Sequence, residues 1–157
     1  MERVSFEMPG KPFPWRRAMG NGKQRYKDAE SRAHAEALGV IARPFFAAPI
    51  AGPVHLEFVA VFEIPMSWSK KKAAAHLFGP HTQKPDLDNL EKQIKDALNH
   101  IAWADDCQVA SVAKRKVWGR AAKTVIHIEP IGVWTDSIPA SIREQALGRV
   151  MSGEATQ

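Results

Sequence analysis

The run Val54-His55-Leu56-Glu57-Phe58-Val59-Ala60-Val61-Phe62 decides the fold class. Val54, Leu56, Phe58 and Phe62 fall on even positions, so a period of two puts them on one inward face. Pro65 ends this strand. Working outward, Val4 to Met8 alternates apolar and polar as a shorter strand, closed by Pro9-Gly10. Residues 10–27 are rich in Gly, Pro and basic side chains and read as a mobile loop. Asp28, or Ser31, caps a helix that runs to about Arg43 and stops before Pro44.

Downstream, a short helix is expected over Ser69–Leu77. A longer one starts at Asp88, with Asp88 and Glu91 as a capping box and Leu90, Ile94, Ala97, Leu98 and Ile101 on one face. Two strands follow, Gln108–Trp118 and Thr124–Glu129, read as a hairpin through Gly119-Arg120, and then a helix over Ser137–Val150 with a frayed end. The expected class is α+β. A small mixed sheet in the order β-α-β-α-β-β carries two main helices on one face, with a C-terminal tail that adds a helix.

The chain has 157 residues, enough for one core, and no apolar run near the ~20 residues a membrane span needs. Its N-terminus lacks a signal-peptide pattern and its one cysteine, Cys107, excludes an internal disulfide, which fits a reducing, cytoplasmic setting. Cys107 reads as a small buried side chain. There are 22 Lys+Arg against 17 Asp+Glu, a formal charge of +5. Distribution says more than the total. Cations gather at Arg16, Arg17, Lys23 and Arg25, at Lys70, Lys71 and Lys72, and at Lys114 and Lys116, as candidate DNA contacts. Acids concentrate between Asp86 and Asp106. Such a surface holds phosphates by displacing counterions. Carboxylates approach phosphate only with cations between them.

Asp86-Leu87-Asp88-Asn89 is the sharpest local feature. If Asp86 to Asp88 is extended, both carboxylates share a side and Leu87 is buried on the other. Hard cations such as Mg²⁺ take oxygen ligands of this kind. Asp at a helix start is also an ordinary cap. A second acidic pair, Asp105-Asp106, follows the helix, and spacing does not say whether the next strand returns beside the first pair. Two readings stay open, one metal site or two independent cap and turn features. Lys92, one helical turn past Asp88, is either a surface partner of Asp88 or a cation for the scissile phosphate. Trp103 reads as a core anchor of its turn. His76 and His81 read as exposed loop residues, and Trp15 and Trp68 as weak candidates for stacking on DNA.

The segments Lys84-Pro85-Asp86-Leu87-Asp88-Asn89-Leu90-Glu91-Lys92, Asp96-Ala97-Leu98-Asn99 and Trp103-Ala104-Asp105-Asp106-Cys107-Gln108-Val109 together resemble the core of the RusA family of Holliday-junction resolvases. The resemblance is tight over 84–118 and looser over the flanking strands, and its layout covers about residues 1–130. It implies an endonuclease domain over 1–134 and a tail, 135–157, outside the family's usual extent. It also implies Mg²⁺, with Mn²⁺ as a substitute, held by Asp86, Asp88 and Asp106, with Asp105 as the alternative or outer acid. Lys92 matches the lysine required for cleavage. The implied partner is a four-way DNA junction, nicked symmetrically by a homodimer in recombination and repair. No membrane and no nucleotide cofactor are expected. The rivals are a non-catalytic junction-binding protein and a DxD transferase, which would need a phosphate loop that the chain lacks.

Overall fold

The computed structural model describes residues 2–134 and 136–151. In chain order the elements are β1 (Val4–Pro9), α1 (Ala29–Ala42), β2 (Val54–Glu63), α2 (Lys70–His76), α3 (Leu87–Leu98), β3 (Val109–Gly119), β4 (Lys123–Pro130) and α4 (Ala140–Met151), with single 3-10 turns at Arg43–Phe45 and Asp106–Gln108. The class is α+β, as the patterns require. α4 starts three residues later than expected, and residues 152–157, the frayed end, lie outside the described residues.

The sheet order is β1-β4-β2-β3. β4 is antiparallel to both β1 and β2, while β3 is parallel to β2. The expected β3–β4 hairpin is therefore not formed. β2 lies between the two strands, and the chain from Gly119 to Lys123 crosses its end, where the Ile64 N–H donates to the Gly119 carbonyl at 2.9 Å. The reason is burial: Val54, Leu56, Phe58 and Ala60 are each 0% exposed, and a strand this apolar is satisfied best with neighbours on both edges. The β2–β3 crossover through α2 and α3 is what makes this sheet mixed.

α1 and α3 pack side by side against the face formed by Phe6, Leu56, Phe58, Ile126 and Ile128. Asp28 caps α1, accepting from the Ser31 N–H at 3.0 Å. From α3 the spacing of four delivers Leu90, Ile94 and Leu98 to the core, each such side chain contributing roughly 1.5–3 kcal/mol on burial. Gln93, 1% exposed, ties the two helices by donating to the Ser31 carbonyl at 3.3 Å and meeting His34 Nδ1 at 3.2 Å. Burial holds the His34 imidazole below its ordinary pKa. The helices can approach closely because α1 carries Gly39, where a Cβ would stand 3.0 Å from the Ile101 side chain. Trp103, fully buried, donates its indole N–H to Asn99 at 3.0 Å and anchors the turn after α3 as its sequence suggests. The opposite face of the sheet carries polar pairs instead, such as His55 with Ser111 at 2.8 Å and Arg3 with Glu57 at 2.6 Å.

Candidate active site

α3 begins one residue earlier than its sequence suggests. Asp86 is the N-cap, in extended conformation, and Leu87 and Asp88 are already helical. The capping box of Asp88 and Glu91 is not formed, and Asp86 makes no side-chain bond to the helix. Glu91 instead pairs with Lys95 at 3.4 Å and Lys114 at 2.5 Å. The Asp86 carboxylate therefore stays exposed, with Lys84 Nζ at 2.7 Å from Oδ1. The hydrogen bond from Lys84, with its charge, holds the Asp86 carboxyl below the usual carboxylate range. Asp88, also exposed, lies in the first helical turn, where the helix dipole favours negative charge.

The strand after α3 does run back beside the first acidic pair, but it brings lysines, not acids. Lys114 reaches Glu91, and Lys116 Nζ donates to the carbonyls of Gln83 and Pro85 at 2.5 and 2.7 Å. Burial first, and Lys84 to a smaller degree, lower the Lys116 pKa, with Asp86 opposing. Both expected DNA contacts on β3 are thus engaged with protein groups, and Lys116 fixes the backbone that presents Asp86. Lys84 is a further member of this site that residue pattern alone does not single out. Its signal is an opposite charge two residues from Asp86.

Asp105 and Asp106 stay at the far end of α3. The twelve-residue helix α3, which starts at the first pair and includes Asp88, spans on the order of 18 Å at 1.5 Å per residue before the chain turns toward the second. Asp105 works as a cap: its carboxylate accepts from the Cys107 N–H at 2.9 Å, while its own N–H donates to Gln108 at 3.1 Å. The Cys107 bond holds the Asp105 carboxyl low. Gln108 then ties this turn to the entry of β2 through the carbonyls of Ile50 and Gly52. Cys107 is exposed, not buried, because the turn faces outward, and its hydrogen bond to Asp105 raises the thiol. Among the described residues, no three acids, histidines or cysteines gather into a group able to hold a metal. Asp86 and Asp88 do match the donor set of Mg²⁺, which takes one or two carboxylates and completes its shell with water and phosphate.

Lys92 is exposed and sits over the Trp15 ring, Nζ 5.1 Å from its centroid, rather than in an ion pair with Asp88. The Trp15 N–H donates to the Asn89 carbonyl at 2.8 Å, so the basic loop is fastened to the start of α3. This loop, without helix or strand as expected, carries one isolated bridge from Met19 to Tyr26 and presents Arg17, Lys23 and Arg25 to solvent, while Arg16 pairs with Glu30 at 2.6 Å. Lys70, Lys71 and Lys72 occupy the first turn of α2, capped by Ser69 and exposed, with Lys72 over the Trp68 ring. Trp68 is packed near His76 and Trp118. His81, expected exposed, is 5% exposed and stacks on Phe62 with ring centroids 3.9 Å apart. Burial, then the charge of Lys116, lowers its pKa.

No helix among the described residues is long and apolar enough to cross a membrane. A family model described as Endodeoxyribonuclease RusA matches residues 9–129. A Bacillus subtilis (strain 168) protein named uncharacterized protein YqaN is 32% identical over 143 residues, covering 83% of this chain and 99% of that one. With a family match across most of its length that includes both acidic turns and Lys92, the chain belongs to the RusA family of Holliday-junction endodeoxyribonucleases.

Proposed function

We propose that this protein is a Mg²⁺-dependent, structure-selective endonuclease that resolves four-way DNA junctions by paired symmetric nicks, in recombination and repair. The observation that carries the reading is the start of α3. Two exposed carboxylates, Asp86 and Asp88, stand there with Lys92 a turn later, in a chain of the RusA family. Asp86 and Asp88 would hold the cation, with Mn²⁺ able to replace Mg²⁺. When bound, the cation supplies Lewis-acid stabilisation of the charge that builds on the phosphate. The chain's own groups do the rest. Lys116 fixes the backbone ahead of Asp86, and Lys84 stands 2.7 Å from that carboxylate. The positive end of α3 favours a phosphate beside it, and Lys92 neutralises its developing charge.

The third acid, Asp106, lies too far along the chain to join the pair from within. A homodimer resolves this if the two copies run in opposite senses, so that Asp106 of the partner subunit completes each Asp86–Asp88 pair. A two-fold dimer then carries two equal sites, matching the two-fold symmetry of a four-way junction. Asp105, occupied in capping its turn, is the structural member of that pair.

Lys92→Ala tests the cation's role. The side chain is exposed and its contact with Trp15 is worth about 0.5–1 kcal/mol, so folding persists. We expect cleavage to fall roughly 10²–10³-fold, on the scale of one lost charge-stabilising group, with junction binding reduced far less. Cleavage at the native rate would return Lys92 to the surface.

A further inference from the structure

We infer that Phe78 is a stacking platform for a nucleobase of the DNA strand held at Asp86 and Asp88. This rests on the endonuclease reading above and names a base subsite within it. Phe78 is 74% exposed, although its apolar ring gains nothing from water. Its backbone has φ of 59°, a left-handed conformation that a bulky residue rarely adopts. Such conformations persist where the surroundings fix them and concentrate at functional sites. Here hydrogen bonds fix it. The Phe78 N–H donates to the Trp118 carbonyl at 2.9 Å, the Trp118 N–H donates to Gly79 at 3.0 Å, and the His81 N–H donates to Lys116 at 2.9 Å. Residues 78–81 thus lie along the free edge of β3, with Pro80 bridged to Val117, and the Phe78 ring stands out from that edge.

The ring forms one wall of an open surface cleft of about 410 Å³ shared with Pro80, Leu87, Arg115 and Lys116. Leu87 is the residue between the two acids, so one wall of the cleft comes from the first turn of α3, which carries them, although neither carboxylate lines it. Its charge selects the occupant. Arg115 is exposed beside it, Lys116 borders it, and Lys70 to Lys72 lie on the helix that leads into Phe78. An aromatic face among cations fits a base whose phosphates are held on either side. Stacking of this kind is tolerant of sequence, and it favours DNA whose bases unstack cheaply. Bases at a branch point meet that condition better than bases inside a linear duplex. Phe78 accordingly favours branched DNA without reading its sequence.

The test compares the native protein with Phe78→Gly and Phe78→Trp. Binding to a synthetic four-way junction and to a linear duplex is measured alongside thermal unfolding. Glycine accepts positive φ without strain, so Phe78→Gly should unfold at the native temperature or above. We expect it to lose junction affinity roughly 5- to 100-fold, the scale of one aromatic–base stack, with duplex affinity changed by no more than about twofold because backbone contacts dominate there. Phe78→Trp should retain junction affinity. Native junction affinity in Phe78→Gly, or an equal loss on junction and duplex, would overturn the inference while leaving the endonuclease reading intact. A native protein that cuts no junction would overturn both.

Discussion

Asp86→Asn is expected to abolish junction cleavage while leaving the fold and junction binding in place. Asparagine serves as well as aspartate at an N-cap, and Asp86 makes no cap bond to lose. Its pair with Lys84 joins side chains that are 51% and 84% exposed, and such surface pairs contribute little to stability. What the change removes is the ionised oxygen donor at the start of α3. The rate should fall by at least roughly 10²–10³-fold. The checks are single-turnover cleavage in Mg²⁺, junction affinity and thermal unfolding, of which only the first should move. Native-rate cutting by this variant would show that the chemistry lies elsewhere.

Mixing two inactive variants should restore activity. In a dimer of one Asp86→Asn chain and one Asp106→Asn chain, a single site is whole. It combines Asp86 and Asp88 of the Asp106→Asn chain with Asp106 of the Asp86→Asn chain. Random pairing gives mixed dimers in about half of the population, each with one working site of two, so nicking should return to about a quarter of native. The product should be singly nicked junction rather than paired cuts. A mixture as inactive as either parent would mean that Asp106 serves the Asp86–Asp88 pair of its own chain, or none. The structural basis for expecting recovery is the twelve-residue helix that runs from the first acidic pair toward the second, together with a return strand that carries Lys116 to the backbone before Asp86 and Lys114 to Glu91.

What was legible in the sequence was local. The alternation of Val54 to Phe62, the Asp28 cap and the spacing of Leu90, Ile94 and Leu98 each follow from the period of a single element. Trp103 could be placed because a large aromatic beside a tight turn has few sites other than the core. β3 and β4 do not pair, contrary to their hairpin-like spacing, because partner choice is not local. A short connection reads the same whether it joins neighbours or steps over the end of a third strand, and only the apolarity of β2 argues for the second. The start of α3 was displaced because Asp86 and Asp88 are both good caps, and Pro85 before them does not choose between the two.

The DxDN motif and Lys92 were visible as residues, and their common location at one helix end was readable from helical spacing alone. Whether Asp106 could reach them was not. That depended on the direction in which β3 returns, and on its register against β2, with Val54 opposite Val109. Lys114 and Lys116 read as surface cations from composition, whereas their side of β3 turns them toward α3 and the segment before it. Phe78 gave no signal in the sequence, since its position depends on a left-handed backbone conformation held by the edge of another strand.

The most direct measurement is cleavage of a synthetic four-way junction and a linear duplex of the same sequence by the purified protein, with Mg²⁺ and with the metal chelated. We expect paired, symmetric nicks in the junction with Mg²⁺, none after chelation, and little cutting of the duplex. Binding of the junction without Mg²⁺-dependent cleavage, or equal cutting of junction and duplex, would contradict the account.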